Sequence, residues 1–285
     1  MQGVCMTWQF TDQVQTYARW TWPLPAADPA GNTVALTVIV NVRAGRRWSS
    51  EPMTFGWFTS GAPVVGAVSV TPPYEFLLAE VPTSTIAPLA DTLAARGVVV
   101  TGVNGETGVA EAFATAWTSP RPARAVPRGQ QRLHKLDILL PARPAGGRPR
   151  PAVPADSHMA MDWFTRFQVE AGSHVVDVEP VIRDRIEDQL LWLWEDDDGQ
   201  PVSMAGRNRT AAGVARIGPV YTPPEHRRRG YGAAITGACT SDALSPGAHG
   251  AVLFTDLANL TSNAIYQQIG YRSLRDHLVI EFEEH

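Results

Sequence analysis

The chain has 285 residues, 44% of them hydrophobic and 18% charged, which excludes a disordered protein and provides enough apolar residues for two cores. Its net charge of -4 gives no overall attraction to nucleic acid or anionic lipid, so we expect no nucleic-acid and no membrane partner. The sequence contains no N-terminal targeting pattern, membrane-length apolar run, CxxC motif or Cys/His cluster. It therefore predicts a cytoplasmic protein without a disulfide framework or a metal.

The first half of the chain alternates helix-like and strand-like segments. Asp28 and Pro29 are typical of a helix cap and a first helical residue, and apolar residues at helical spacing follow them as far as Gly45. Turn residues at Ser60-Gly61 then predict a hairpin, followed by a third antiparallel strand. The predicted elements after the first helix are strands 53–59, 64–71 and 76–81, helix 83–96, strand 98–103, helix 106–117 and strand 132–140.

A stretch rich in proline, arginine and glycine at 141–154 follows, and we interpret it as a linker. Beyond it the same order of elements returns, with predicted helices 159–170 and 178–189, a hairpin at 191–208 that turns at Asp198-Gly199, and strand 214–220. The segments Gly61-Ala62-Pro63-Val64 and Gly199-Gln200-Pro201-Val202 occupy the same place in the two hairpins. We therefore predict a duplicated domain, with one copy at 1–143 and the other at 144–285.

The two halves differ after strand 214–220. There the chain reads Tyr221-Thr222-Pro223-Pro224-Glu225-His226-Arg227-Arg228-Arg229-Gly230-Tyr231-Gly232 and enters a helix through Ala233. An anion at such a strand–loop–helix junction meets unpaired backbone N–H groups and the positive end of the helix dipole, while the arginines add charge. Gly230 and Gly232 have no Cβ to obstruct the anion and tolerate positive φ. The segment therefore predicts a diphosphate site.

Arg227, Gly230 and Gly232 resemble the acetyl-CoA signature of the GNAT superfamily, which is Arg or Gln, two residues, Gly, one residue, then Gly or Ala. A second GNAT-like stretch, 253–271, follows, and the resemblance extends over 190–281. The first half is similar only in the order of its elements: it lacks the loop motif, and helix 106–117 has no tyrosine.

The resemblance implies an α/β (α+β) fold of two tandem GNAT-like domains, each a mixed, mainly antiparallel, twisted sheet flanked by helices. It also implies a degenerate N-terminal copy and a catalytic C-terminal copy, a layout similar to that of mycothiol synthase.

The resemblance further implies an acetyl-CoA site. The residues expected to bind this cosubstrate are Val220, Tyr221, Thr222, Arg227, Arg228, Arg229, Gly230, Tyr231, Gly232, Ala233, Asn259, Asn263 and Tyr266. Tyr266 is also expected to donate a proton to the departing thiolate. Asp256, Glu225 or water could act as the general base, and Asp256 could instead cap the turn before the next helix.

Other functions stay open at this stage. The expected reaction is N-acetylation of a small-molecule amine, but protein termini, lysine side chains and other acyl groups remain alternatives. A sensor that binds acyl-CoA without turnover is a second reading. A third is an aminoacyl transferase that uses charged transfer RNA, which the acidic balance and the phosphate loop disfavour. The acidic run at 195–198 is interpreted as a solvated hairpin turn rather than a metal site.

Overall fold

The computed structural model describes residues 7–46, 50–59, 63–173, 177–245 and 247–284. The chain forms two compact units: Met1–Gln131 together with Arg275–His285, and Arg132–Leu274. This division differs from the predicted boundary between 143 and 144 in two ways: residues 132–143 belong to the second unit, and the chain returns to the first unit from residue 275. Within the described ranges, no helix combines the length and the apolarity needed to cross a membrane.

The first unit contains a mixed sheet flanked by helices. Its elements are β1 (Thr7–Thr11), α1 (Val14–Thr21), α2 (Pro23–Ala27), α3 (Thr33–Arg43), β2 (Thr54–Thr59), β3 (Val64–Val70), β4 (Phe76–Glu80), α4 (Ile86–Ala95), β5 (Gly102–Glu106), α5 (Thr107–Thr118), the start of β6 (Ala123–Leu136) and the end of β12 (Tyr271–Glu284). The sheet order is β1-β2-β3-β4-β5-β12. Strands β4 and β5 are parallel, whereas the other neighbours in this order are antiparallel. The predicted succession of three antiparallel strands, β2 to β4, is thus confirmed.

Alternation along β2 places the core of the first unit on both faces of its sheet. Phe55 and Trp57 pack in a buried cluster with α1 and α3, while Phe58 packs in a second cluster with α4 and α5. Successive side chains of a strand point to opposite faces, so one aromatic strand serves both layers. The predicted turn at Ser60-Gly61 lies outside the described residues, and so do the first two residues, 61 and 62, of the repeated hairpin segment.

The second unit repeats this architecture. Its elements are the end of β6, β7 (Arg148–Pro151), α6 (Ser157–Glu170), α7 (Val178–Glu187), β8 (Leu191–Glu195), β9 (Pro201–Arg207), β10 (Val214–Tyr221), α8 (Tyr231–Leu244), β11 (Gly250–Asp256), α9 (Leu260–Gln268) and the start of β12. The order is β7-β8-β9-β10-β11-β6. Strands β7 to β10 pair antiparallel and β10 pairs parallel with β11. Each unit thus has the mixed, mainly antiparallel sheet that was predicted.

The predicted start of the first helix at Asp28-Pro29 is wrong. Helix α3 begins at Thr33, and two short helices, α1 and α2, precede it. The Asp28 carboxylate accepts a hydrogen bond from the Gly31 backbone N–H at 3.1 Å, so it closes a local turn instead of capping a helix. Likewise, the predicted strand 98–103 begins only at Gly102.

The stretch 141–154 is more than a linker, because it contains β7. Arg150 of this strand bonds the Asp156 carboxylate at 2.6 and 2.9 Å and Glu195 of β8 at 2.5 Å. Pro149 and Pro151 are compatible with β7 because it is an edge strand, where a missing N–H leaves no ladder bond unmade. The ion pairs hold this proline-rich segment on the sheet.

Candidate functional site

The parallel strands of the second unit separate towards their carboxyl ends. Residues 214–217 of β10 pair with 250–253 of β11, and among the described residues no further pair joins the two strands, although β10 continues to Tyr221 and β11 to Asp256. On its other side β10 resumes pairing with β9 at Val220 and Tyr221, after an irregularity that follows Ile217. The end of β10 is therefore fixed on one edge and open on the other, which leaves a wedge between β10 and β11.

The floor of this wedge is held by buried hydrogen bonds. Ser203 of β9 is fully buried, and its Oγ donates to the carbonyl of Tyr221 at 3.0 Å. The same Oγ lies 2.8 Å from Oγ1 of Thr222. These bonds fix the backbone at the end of β10, where the predicted cofactor residues Val220 and Tyr221 lie on the strand and Thr222 directly follows it.

The loop between the wedge and α8 presents a row of backbone donors. The N–H groups of residues 228–233 have no acceptor among the residues that the structure describes. Gly230 precedes α8 as its N-cap with φ 87°, and Arg228 has φ 63°, so the backbone turns sharply just before the helix. Consecutive free N–H groups at a helix N-terminus form an anion site, to which the helix dipole contributes.

The two glycines of this loop have different roles. Gly230 needs its positive φ, which a residue with a side chain adopts at a cost of about 1 kcal/mol or more. Gly232 lies inside α8, outside the positive-φ region, and a Cβ there would stand 3.6 Å from Thr222 Oγ1, an ordinary contact. The sequence-based expectation of positive φ is therefore met at Gly230 only. At Gly232 the missing side chain leaves room in front of the free N–H groups.

Arg227 joins the loop to helix α6. Its Nη2 donates to both carboxylate oxygens of Glu170 at 2.9 and 2.7 Å, and its Nε donates to the Thr222 carbonyl at 2.8 Å. Its guanidinium also lies 5.7 Å from the ring centroid of Tyr221, whose hydroxyl donates to Glu170 at 3.3 Å. Arg228 and Arg229 are exposed, as Arg227 itself is. No local pattern marks Glu170, which is 57 residues from Arg227 along the chain.

Tyr266 lies on α9 and is almost completely buried, with 8% of its surface exposed. Burial raises the pKa of its phenol to about 12, and a hydrogen bond with Thr236 of α8 lowers it in part. Thr236 in turn donates to the Gly232 carbonyl at 2.7 Å. Tyr266 therefore keeps its proton near neutral pH and is connected through Thr236 to the first turn of α8.

The other polar residues predicted near the cofactor shape the turn between β11 and α9. Asp256 is exposed and its Oδ1 accepts from the Ala258 N–H at 2.8 Å. Asn259 is the N-cap of α9, and its Oδ1 accepts from the Ser262 N–H at 3.0 Å. The Asn263 amide is also occupied by protein groups, because its Nδ2 donates to the carbonyls of residues 256, 257 and 259.

His134, which the sequence did not mark as functional, lies beside this turn. It is fully buried, and its Nε2 is 3.1 Å from both Thr255 Oγ1 and Asn263 Oδ1. The residues are 121 and 129 positions apart, so no sequence spacing could have connected them. Across the described ranges, no group of three or more His, Cys, Asp or Glu side chains is placed to hold a metal ion.

Comparison with known proteins finds one matching family. Residues 158–271 match the family model described as acetyltransferase (GNAT) family. This range includes the wedge, the loop and Tyr266. No curated protein sequence matches the chain. Residues 158–271 are therefore a GNAT-family domain, and the resemblance predicted from the loop is confirmed. Proteins of this family transfer an acyl group from acyl-CoA, with acetyl-CoA as cosubstrate.

Solved structures share the fold along nearly the whole chain. A Drosophila protein is similar with a TM-score of 0.69 and 13% identity, covering 97% of this chain and 99% of that one. A tandem GNAT protein from the clavulanic acid biosynthesis pathway is similar with a TM-score of 0.61 and 15% identity, covering 97% of this chain and 98% of that one. A GNAT-family acetyltransferase from Colwellia psychrerythraea is similar with a TM-score of 0.59 and 13% identity, covering 97% of this chain and 100% of that one. At such identities the likeness concerns the fold, which is that of GNAT proteins.

Proposed function

We propose that the second unit transfers an acetyl group from acetyl-CoA to a primary amine, most simply that of a small molecule. The observation that carries this proposal is the row of free N–H groups at 228–233 beside the open end of β10. Backbone donors at a helix N-terminus suit a diphosphate, and the wedge suits an extended thioester arm that needs strand-like hydrogen bonding. Arg228 and Arg229 are exposed beside these donors and add positive charge.

The side chain of Arg227 is proposed to act by holding the loop. Its guanidinium already bonds Glu170 and the Thr222 carbonyl, so it fixes the approach of the loop to α6 and β10. The diphosphate is then bound by the backbone of residues 228–233, with Gly230, Tyr231, Gly232 and Ala233 supplying donors from the start of α8. The side chains of Asn259 and Asn263 contribute by fixing the turn before α9.

Tyr266 is proposed to be the proton donor to the leaving thiolate. Its raised pKa of about 12 keeps the phenol protonated, which is the form that an acid needs. Because a thiol has an ordinary pKa of roughly 8.5, full proton transfer from a phenol of pKa about 12 is uphill, so the phenol acts first by donating a hydrogen bond to the departing sulfur. A phenolate formed by transfer to the sulfur regains its proton from solvent. Backbone donors at the open end of β10 would stabilise the oxyanion.

The proton of the acceptor amine has two candidate destinations on this chain, or passes directly to water. One oxygen of Asp256 is used by the turn, and the carboxylate is exposed at the end of β11. Glu225 is exposed in the loop before α8. Either carboxylate could accept the proton through a water molecule.

The first unit is proposed to be a degenerate copy, so that the acetyl-CoA site belongs to the second unit alone. Its parallel pair β4 and β5 corresponds to β10 and β11, and Phe76–Leu78 pairs with Val103–Gly105. The connection from β4 to α4 lacks the Arg-x-x-Gly-x-Gly motif, and α5 contains no tyrosine.

Two measurements test this function. Isothermal calorimetry with acetyl-CoA should show one site per chain, and release of free coenzyme A should depend on an amine chosen from a panel of polyamines, amino sugars and amino acid esters. Binding with no turnover for any amine, peptide or lysine acceptor would favour an acyl-CoA sensor. Absence of binding would remove the proposal altogether.

A further inference from the structure

His134 reaches the candidate site from a strand that sequence analysis assigned to the other half of the chain. Residues 132–136 of β6 belong to the second unit, where β6 is the neighbour of β11. Leu133 and Leu136 beside it are buried, and His134 itself is completely shielded from solvent. A buried polar ring of this kind is tolerated only when it is hydrogen-bonded.

The partners of His134 fix the position of a hydrogen on its ring. Asn263 Nδ2 faces three backbone carbonyls, at 3.1, 3.4 and 2.9 Å, so it is the donor end of the amide and Oδ1 is the acceptor end. His134 Nε2 lies 3.1 Å from this Oδ1, which also accepts from Thr255 Oγ1 at 2.7 Å. An oxygen that only accepts requires a donor opposite, so Nε2 of His134 must carry a hydrogen.

The same amide connects His134 to Tyr266. Asn263 holds the carbonyls of the β11–α9 turn, and Tyr266 follows it by three residues on α9, so both side chains lie on one face of the helix. Thr255, at the end of β11, completes a cluster that joins β6, β11 and α9. A change at His134 would therefore shift the start of α9 and, with it, the phenol.

We propose that His134 is a positioning residue, which donates from Nε2 to Asn263 and so sets the place of Tyr266 relative to the thioester; this rests on the function proposed above for Tyr266. His134 does not touch the proposed cofactor site itself. Its loss should therefore slow the chemical step while acetyl-CoA still binds, because misplacement of a reacting group by about 1 Å costs of order 100-fold in rate.

The first unit offers a matched control. His277 of β12 is a second buried histidine, 8% exposed, and it lies opposite Glu106 at the end of β5, just before α5. The surroundings are similar in topology, but α5 has neither an asparagine nor a tyrosine. A loss of activity caused merely by removing a buried histidine would appear in both His134→Leu and His277→Leu, whereas positioning of Tyr266 concerns His134 alone.

The test compares kcat and KM for acetyl-CoA in the full chain carrying His134→Leu, His134→Gln or His277→Leu. We expect His134→Leu to lower kcat by about 10- to 100-fold with KM within about threefold, and His134→Gln, which retains an N–H donor, to recover most of kcat. His277→Leu should leave kcat near the wild-type value. A His134→Leu kcat within about twofold of wild type, or a change confined to KM, overturns the proposal.

Two further measurements do not depend on activity, and the first of them needs only the wild-type protein. In the ¹⁵N-labelled wild-type protein, Nε2 of His134 should show a one-bond coupling to hydrogen, and an unprotonated Nε2 overturns the proposal. Amide hydrogen exchange at 262–266 should be faster in His134→Leu than in His134→Gln, and equal rates overturn the link to α9. If the wild type releases no coenzyme A, the function proposed for Tyr266 fails. The NMR coupling and the hydrogen-exchange rates still show whether His134 donates to Asn263.

Discussion

Gly230→Ala should show whether the backbone conformation of the loop before α8 affects acetyl-CoA binding separately from overall stability. Gly230 has φ 87°, and a Cβ there would meet only Ala145, at 3.6 Å. Alanine is thus accommodated sterically by its neighbours but is strained by the backbone, at about 1–2 kcal/mol. Gly199, at the hairpin turn in the same unit, has φ 77° and no atom within 4 Å of its Cβ position. Gly199→Ala is therefore a control with the same strain in a different place.

Both variants should lose about 1–2 kcal/mol of unfolding free energy if the alanine stays in the left-handed region. They should differ in acetyl-CoA binding. If residue 230 relaxes to negative φ, the N–H groups at the start of α8 turn away, and restoring them on binding costs the same strain. An energy of about 1–2 kcal/mol weakens binding by roughly 5- to 30-fold.

Calorimetry with acetyl-CoA and urea unfolding should be measured on both variants. In Gly230→Ala the losses of unfolding free energy and of acetyl-CoA binding free energy should together amount to about 1–2 kcal/mol, because the strain appears either in the free protein or on binding. Gly199→Ala should lose stability alone and bind acetyl-CoA as the wild type does. Wild-type affinity together with wild-type stability in Gly230→Ala would refute the argument that this backbone conformation forms the diphosphate site. Equal weakening in both variants would show a global effect instead.

Three further outcomes are expected. Tyr266→Phe should lower kcat by about 10²- to 10⁴-fold with an unchanged acetyl-CoA dissociation constant, and an unchanged kcat would reject the acid role. The Arg227–Glu170 pair is partly exposed, so a double-mutant cycle with Arg227→Ala and Glu170→Gln should give a coupling energy of about 0.2–1 kcal/mol in stability, alongside a raised KM for acetyl-CoA. Burial and the nearby Arg275 lower the pKa of His277 to about 4. Between about pH 6.5 and 4 the unfolded chain therefore binds a proton at His277 that the folded chain does not. The free energy of unfolding falls as pH falls through this window, by up to about 3 kcal/mol. Urea unfolding of His277→Leu should lack this dependence of stability on pH.

The pairing of Asn263 with His134 changes how the helix after β11 is understood. The resemblance predicts that Asn263 contacts the cofactor, and the structure adds that both ends of its amide are hydrogen-bonded to the protein. We therefore expect substitutions at Asn263 to act mainly through the position of α9. Since the amide uses both its donor and acceptor ends, Asn263→Asp would leave the carbonyls of residues 256 and 259 without their donor.

Features that depend on a few neighbouring residues were determined by the sequence. The loop from Arg227 to Gly232 opens a helix as predicted, with α8 starting at Tyr231. The hairpin turns at Asp198-Gly199, where the Gly199 N–H donates to the Asp196 carbonyl at 3.0 Å. Helices α4, α6 and α7 also begin and end close to their predicted limits. In these cases the capping bonds and turn dihedrals involve residues within about four positions of one another, so the pattern contains the cause.

Features that depend on strand partners were decided only by the tertiary structure. The chain returns to the first unit through β12, β7 forms in a segment that resembled a linker, and His134 meets residues more than a hundred positions away. The Asp28-Pro29 signal predicted a helix start, yet Asp28 closes a turn and pairs with Arg275, 247 positions later. A strand's hydrogen bonds are made to another strand and a buried side chain's partners come from distant segments, so neither is encoded in local periodicity.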